Sequence, residues 1–112
     1  MAYDEVLAGR ITTLLKRRRG ITRKKMFGGL CFLMDGKMVC GVERNRLVVR
    51  VGPARYEALL KQPHVKPMDF TGRPLRGFVY VLPQGLQSRA ALKMWIDRGL
   101  RYAKSVPAKR KR

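Results

Sequence analysis

Apolar residues recur along the chain at helical spacing in three segments, and between them in runs that alternate with polar residues. Leu7, Ile11, Leu14 and Leu15 stand at i, i+4, i+7 and i+8, one face of an amphipathic helix that Asp4 can cap. The Arg17–Gly20 stretch is expected to stop it, with Gly20 as the residue just past its end after a basic last turn. Asp35-Gly36 predicts a two-residue type I′ hairpin turn between strands at 30–34 and 37–42. A turn near Arg44-Asn45 then returns the chain as a third strand over 47–51. Gly52-Pro53 opens a short helix burying Tyr56, Leu59 and Leu60, because Pro suits the first helical position. Pro63 and Pro67 bracket a loop, followed by an extended piece over 68–71, a Gly72-Arg73-Pro74 turn and a strand over 75–82. Ser88 caps a last helix to about Lys104, with Leu92, Trp95, Ile96, Leu100 and Ala103 inward. The order α-β-β-β-α-β-β-α predicts an α+β fold, an antiparallel sheet of about five strands packed with helices.

Composition narrows the class. The chain has 112 residues, 46% of them hydrophobic, enough for one domain with its own core and against a wholly disordered polycation. The domain is expected to span 1–105, leaving 106–112 as a disordered basic tail. No apolar run approaches the ~20 residues needed to span a bilayer. Asp4 and Glu5 stand where a signal peptide carries Lys or Arg, so a cytoplasmic protein is expected.

Charge changes the picture more. There are 26 Lys+Arg against 7 Asp+Glu, a formal net charge of +19. Lys16, Arg17, Arg18, Arg19, Arg23, Lys24 and Lys25 form one cluster without an acidic residue. Lys109, Arg110, Lys111 and Arg112 form a second. Arg89, Lys93 and Arg101 make a column on the last helix, interrupted by Asp97. Such blocks repel themselves unless polyanions offset them, and each neutralised phosphate releases condensed counterions. The three groups are therefore the candidate nucleic-acid-binding residues. No helix-turn-helix, zinc-finger or aromatic RNA-binding fingerprint accompanies them, so binding is expected to be phosphate-directed.

Other chemistry is sparse. If the 35–36 turn sets the register, Cys31 faces Cys40 in a non-hydrogen-bonded pair with Cα atoms ~4.5 Å apart. That is the short edge of disulfide geometry, so the two form a possible redox pair; the alternative is two reduced thiols packed as small apolar groups. His64, the single histidine, has no second catalytic group beside it in sequence. Two Cys and one distant His lack metal-ligand spacing, so neither metal nor cofactor is expected. Gly28-Gly29 opens a strand rather than a helix, which suits a tight turn or close backbone approach and not a phosphate loop. The scattered carboxylates are expected in ion pairs, and Asp69 is placed to accept backbone N–H bonds in its turn.

Lys25-Met26-Phe27-Gly28-Gly29, followed by Asp35-Gly36-Lys37-Met38, resembles the N-terminal domain of the TfoX/Sxy family. The likeness continues through Leu47-Val48-Val49-Arg50-Val51-Gly52-Pro53 with Tyr56 and Glu57. It resumes at Met68-Asp69-Phe70-Thr71-Gly72-Arg73-Pro74 with Arg76-Gly77, and ends at Trp95. The chain looks most like stand-alone, single-domain members of that family. The resemblance implies an α+β domain of secretion-chaperone-like type and a link to regulation of natural competence. In the family's two-domain regulators the protein acts with the cyclic-AMP receptor protein at competence promoters. A second, helical domain present there has no counterpart in the eight residues after Lys104. The resemblance implies no catalytic residues. The expected function is thus a non-enzymatic regulatory or accessory module that binds nucleic acid, or a nucleic-acid-bound partner, through basic surfaces. The alternatives are an adaptor for an acidic protein and, behind it, a thiol redox sensor.

Overall fold

A computed structural model describes residues 3–26, 28–69 and 72–106. Helix α1 (Glu5–Leu15) is followed by β1 (Ile21–Met26), β2 (Gly29–Met34), β3 (Lys37–Glu43) and β4 (Arg46–Arg50). Then come α2 (Pro53–Leu60), β5 (Val65–Pro67), β6 (Phe78–Val81), a single 3-10 turn (Pro83–Gly85) and α3 (Arg89–Ser105). The strands form one antiparallel sheet in the order β1-β2-β3-β4-β6-β5.

The caps read from sequence form as physical chemistry requires. Asp4 Oδ1 accepts from the Val6 and Leu7 amides at 2.9 and 3.1 Å, and Ser88 Oγ from the Ala91 amide at 3.0 Å. Each satisfies N–H groups that lack partners inside the helix. The Asp35-Gly36 turn has both residues at positive φ, +53° and +81°, as type I′ demands.

Packing is two-sided. α1, α2 and α3 cover one face over a core that includes Leu7, Ile11, Phe32, Val49, Leu92 and Ile96. The opposite face carries a smaller cluster of Cys31, Met38, Val48, Met68 and Tyr80. The segment after β5 folds against it, with Leu75 N donating to Met68 O at 2.7 Å and Leu75 packed on the cluster.

Several expectations are corrected. The sheet has six strands, not about five, because residues 21–26 form a strand on the outer edge of β2. Its residues Thr22, Arg23, Lys24 and Lys25 are all exposed, so the strand has no inner apolar face to announce it. Helix α1 stops at Leu15 with Lys16 as its cap, and no basic residue lies in its last turn. Gly20 (φ +78°) instead belongs to the turn that enters β1, where its carbonyl accepts from the Asp35 amide at 2.9 Å. Of the extended piece expected at 68–71, residues 70 and 71 lie outside the described residues; the strand described there is Val65–Pro67, with Pro67 tolerated on an edge strand. The strand placed at 75–82 is shorter, Phe78–Val81, and Leu60 is only half-buried.

The hairpin register also departs from expectation. Leu33 pairs with Met38 and Met34 with Lys37, but a bulge follows, so Phe32 pairs with Cys40 and Cys31 with Gly41. Val39 is the extra residue, and both Val39 and Cys40 then join the helix-covered core. Cys31 joins the opposite cluster. The facing-thiol geometry on which the Cys31–Cys40 redox expectation rested is therefore absent. Both thiols are free and buried. Burial pushes the Cys31 thiol up to about 11, and burial followed by the neighbouring Cys31 pushes Cys40 up as well.

Candidate polyanion interface

The basic cluster at 16–25 occupies the corner where α1 turns into β1. The turn is held by Arg18 N donating to Leu15 O at 2.9 Å, and by the Gly20–Asp35 backbone bond that ties it to the β2–β3 turn. Strand alternation then places Arg23 on the same side of the sheet as Ile21, whose side chain packs on the helix-covered core. A cavity of about 260 Å³ opens there, with Leu15, Ile21 and Phe32 as its apolar walls and Lys16, Arg18 and Arg23 at its mouth. Thr12 supplies the one hydroxyl, and no carboxylate lines it.

The corner's electrostatics follow from what is missing around it. Lys16, Arg17, Arg18, Arg19, Arg23, Lys24 and Lys25 are all exposed, and none is in an ion pair among the described residues. The described carboxylates that do form ion pairs lie elsewhere: Glu43 with Arg44 (3.7 Å) and Arg46, Glu57 with Arg76 (3.4 Å), Asp97 with Lys93 (2.9 Å). Asp35 is the one carboxylate seen against this corner, its Oδ1 lying beside Gly20 without an ion pair; seven positive charges outnumber it, raise the local potential and hold counterions that a polyanion would release.

The other expected binding residues are distributed differently. Arg89 lies at the start of α3 and Lys93 is engaged by Asp97, so the column is not an unbroken positive stripe. Arg101 joins Arg55 and Arg98 around a separate cavity. Sequence reading missed Arg55 and Arg98. The signal available was Arg55 in the first turn of α2, where a helix ordinarily favours acidic residues. Lys109, Arg110, Lys111 and Arg112 lie outside the described residues. Of the segment expected as a tail, Val106 is described: its amide donates to Tyr102 O, and Lys37 Nζ donates to its carbonyl at 3.1 Å.

His64 is exposed at φ +65°, its carbonyl accepts from Leu82 N at 2.8 Å, and its ring makes no hydrogen bond among the described residues. Among those residues, too, no group of three or more His, Cys, Asp or Glu side chains could hold a metal ion. Gly29 is needed for close approach, since a methyl there would collide with the Val42 carbonyl. Asp69 contributes its backbone carbonyl, which accepts from Gly72 N at 2.9 Å. No helix of the described residues is long and apolar enough to cross a membrane.

Comparison with known proteins agrees with the fold. No curated protein and no solved structure matches the chain. The TfoX N-terminal domain matches it over residues 13–103, from the last three residues of α1 through all six strands into the last turn of α3. This is a family of regulatory and accessory domains, not a known enzyme family. Since the match takes in the sheet, α2 and nearly all of α3, the chain belongs to the TfoX N-terminal domain family.

Proposed function

We propose that this chain is a non-enzymatic regulatory or accessory domain that associates with nucleic acid through phosphate contacts made by its α1–β1 corner. The observation that carries the reading is the gathering of Lys16, Arg18 and Arg23 around one cavity with no carboxylate in its wall. Arg17 and Arg19 are exposed in the same turn and Lys25 lies on the Arg23 side of β1, while Lys24 is exposed on the strand's other side. Lysine and arginine so arranged read backbone charge rather than base edges, so the association is weakly sequence-selective. The competence setting implied by the family resemblance is part of the same proposal.

The test is a salt series of binding to duplex DNA, RNA and heparin, comparing wild type with a Lys16→Gln/Arg18→Gln/Arg23→Gln variant. Log affinity should fall linearly with log salt, and the variant's slope should be shallower by about 2–3. A shift of less than twofold between ~50 and 200 mM salt, or an unchanged slope in the variant, refutes the proposal.

A second reading is favoured by one observation: β1 is an edge strand, and three of its four exposed residues are basic. An acidic segment of a protein partner could pair along it. Competition separates the two readings. Under the first, nucleic acid binds the isolated domain directly; under the second, an acidic partner binds it and nucleic acid only displaces that partner.

A further inference from the structure

A second cavity, of about 310 Å³, lies between the N-terminal turn of α2 and the C-terminal half of α3. Arg55, Arg98 and Arg101 line it together with Gly52, Pro53 and Tyr102, and no carboxylate does. Arg98 is the distinctive member. Its guanidinium carbon lies over the Trp95 ring, 4.5 Å from the centroid. Its Nη1 is buried and has no hydrogen-bond partner among the described residues. Nη1 itself is closed to solvent, whereas Arg98 as a whole is half-buried and lines the cavity, so an acceptor entering the cavity would reach its remaining N–H groups.

The surroundings favour an anion. Burial, followed by the like charges of Arg55 and Arg101, holds the Arg98 guanidinium below its ordinary pKa, though it stays charged at neutral pH. Asp97, the only acidic residue of α3, is bonded to Lys93 Nζ at 2.9 Å. The α2 N-terminus borders the cavity, and Gly52 provides no side-chain cap for its first-turn amides. Those amides add a partial positive charge on the same side.

We propose that Arg55, Arg98 and Arg101 form a binding site for a phosphoryl group, either the phosphate of a small phosphorylated molecule or one backbone phosphate of a nucleic acid. The planar guanidinium fork of Arg98 offers paired donors to two phosphate oxygens, and Arg55 and Arg101 supply the balancing charge. Tyr102 and Pro53 give an apolar wall for whatever the phosphate is attached to. The site shares no residue with the α1–β1 corner and does not rest on that corner's function.

Trp95 is the single tryptophan and lies under Arg98, so its emission reports on this site. The full chain is titrated at constant ionic strength with inorganic phosphate, with a 5′-mononucleotide and with a short DNA duplex, against a chloride control. A saturable Trp95 response to at least one phosphate probe, absent with chloride, is expected. Arg55 and Arg101 are exposed, so Arg55→Gln/Arg101→Gln keeps the fold and should raise the half-saturation concentration at least tenfold. Arg98→Lys, which keeps the charge but loses the fork, should weaken it as well. An Arg18→Gln/Arg23→Gln variant should respond as wild type within twofold. Tighter saturation by the mononucleotide identifies a small ligand, and tighter saturation by the duplex identifies backbone phosphate. Absence of saturation with all three probes overturns the proposal. So does an unchanged response in Arg55→Gln/Arg101→Gln, or an equal loss in the corner variant.

Discussion

The β3–β4 end of the sheet and the α1–β1 corner are both rich in arginine, yet they hold it in opposite ways. At the β3–β4 end, Glu43 lies between Arg44 and Arg46, and the Arg46 guanidinium stacks on the Tyr80 ring at 3.8 Å. Carboxylate and guanidinium are both partly buried there, with side-chain exposures of 14% and 28%. At the corner, seven basic side chains are exposed with no ion pair among the described residues, and three of them border a cavity walled by Leu15, Ile21, Phe32 and Thr12. Arginine content therefore does not identify a binding surface. What distinguishes the two regions is ion pairing, because a compensated charge contributes to folding and an uncompensated one remains available to a partner.

The largest loss of stability is expected for Arg46→Ala. It removes the stack on Tyr80 and strands the Glu43 carboxylate, so stability should fall by about 2–3 kcal/mol in urea unfolding. An unchanged midpoint would erase the distinction between the two ends. Alkaline titration asks next whether the interior, rather than either basic region, limits stability at high pH. The Cys31 thiol is raised to about 11 in the folded state, so its stabilising contribution is complete below the unfolded value near 8.5 and is lost as pH rises toward 11. Stability should decline by about 1.5 kcal/mol between pH 8.5 and 10 from this group alone, and Cys31→Ala should decline correspondingly less. Glu43→Gln should cost about 1–1.5 kcal/mol while leaving the salt slope of polyanion binding unchanged. The smallest stability effect is expected at the corner: Arg18→Ala should stay within about 0.5 kcal/mol of wild type while reducing that slope by about one. A large loss of stability there would mean that the corner's charges are structural after all.

The helices were legible because their signals are local. Asp4 and Ser88 cap the first turns beside them, and Leu92, Trp95, Ile96, Leu100 and Ala103 define a face by their own spacing. The Asp35-Gly36 turn is local in the same sense, and the clustering of Lys16–Lys25 needs no fold to be seen. Strand β1 was not legible, since an edge strand with four consecutive exposed residues has no alternation to read. Its existence depends on β2 presenting unpaired backbone groups beside it.

By itself, then, the sequence determined an α+β domain, its three helices, one hairpin turn and a concentration of positive charge. The tertiary structure decided the rest. A single bulged residue, Val39, sent Cys31 and Cys40 to opposite faces, although every pairing next to the turn was the expected one. Packing of α2 and α3 against the sheet brought Arg55 beside Arg98 and Arg101, residues that no helical period relates. The physical reason is common to both. Propensity, capping and periodicity describe a segment about its own axis, whereas register and charge juxtaposition are set by how segments pack on one another.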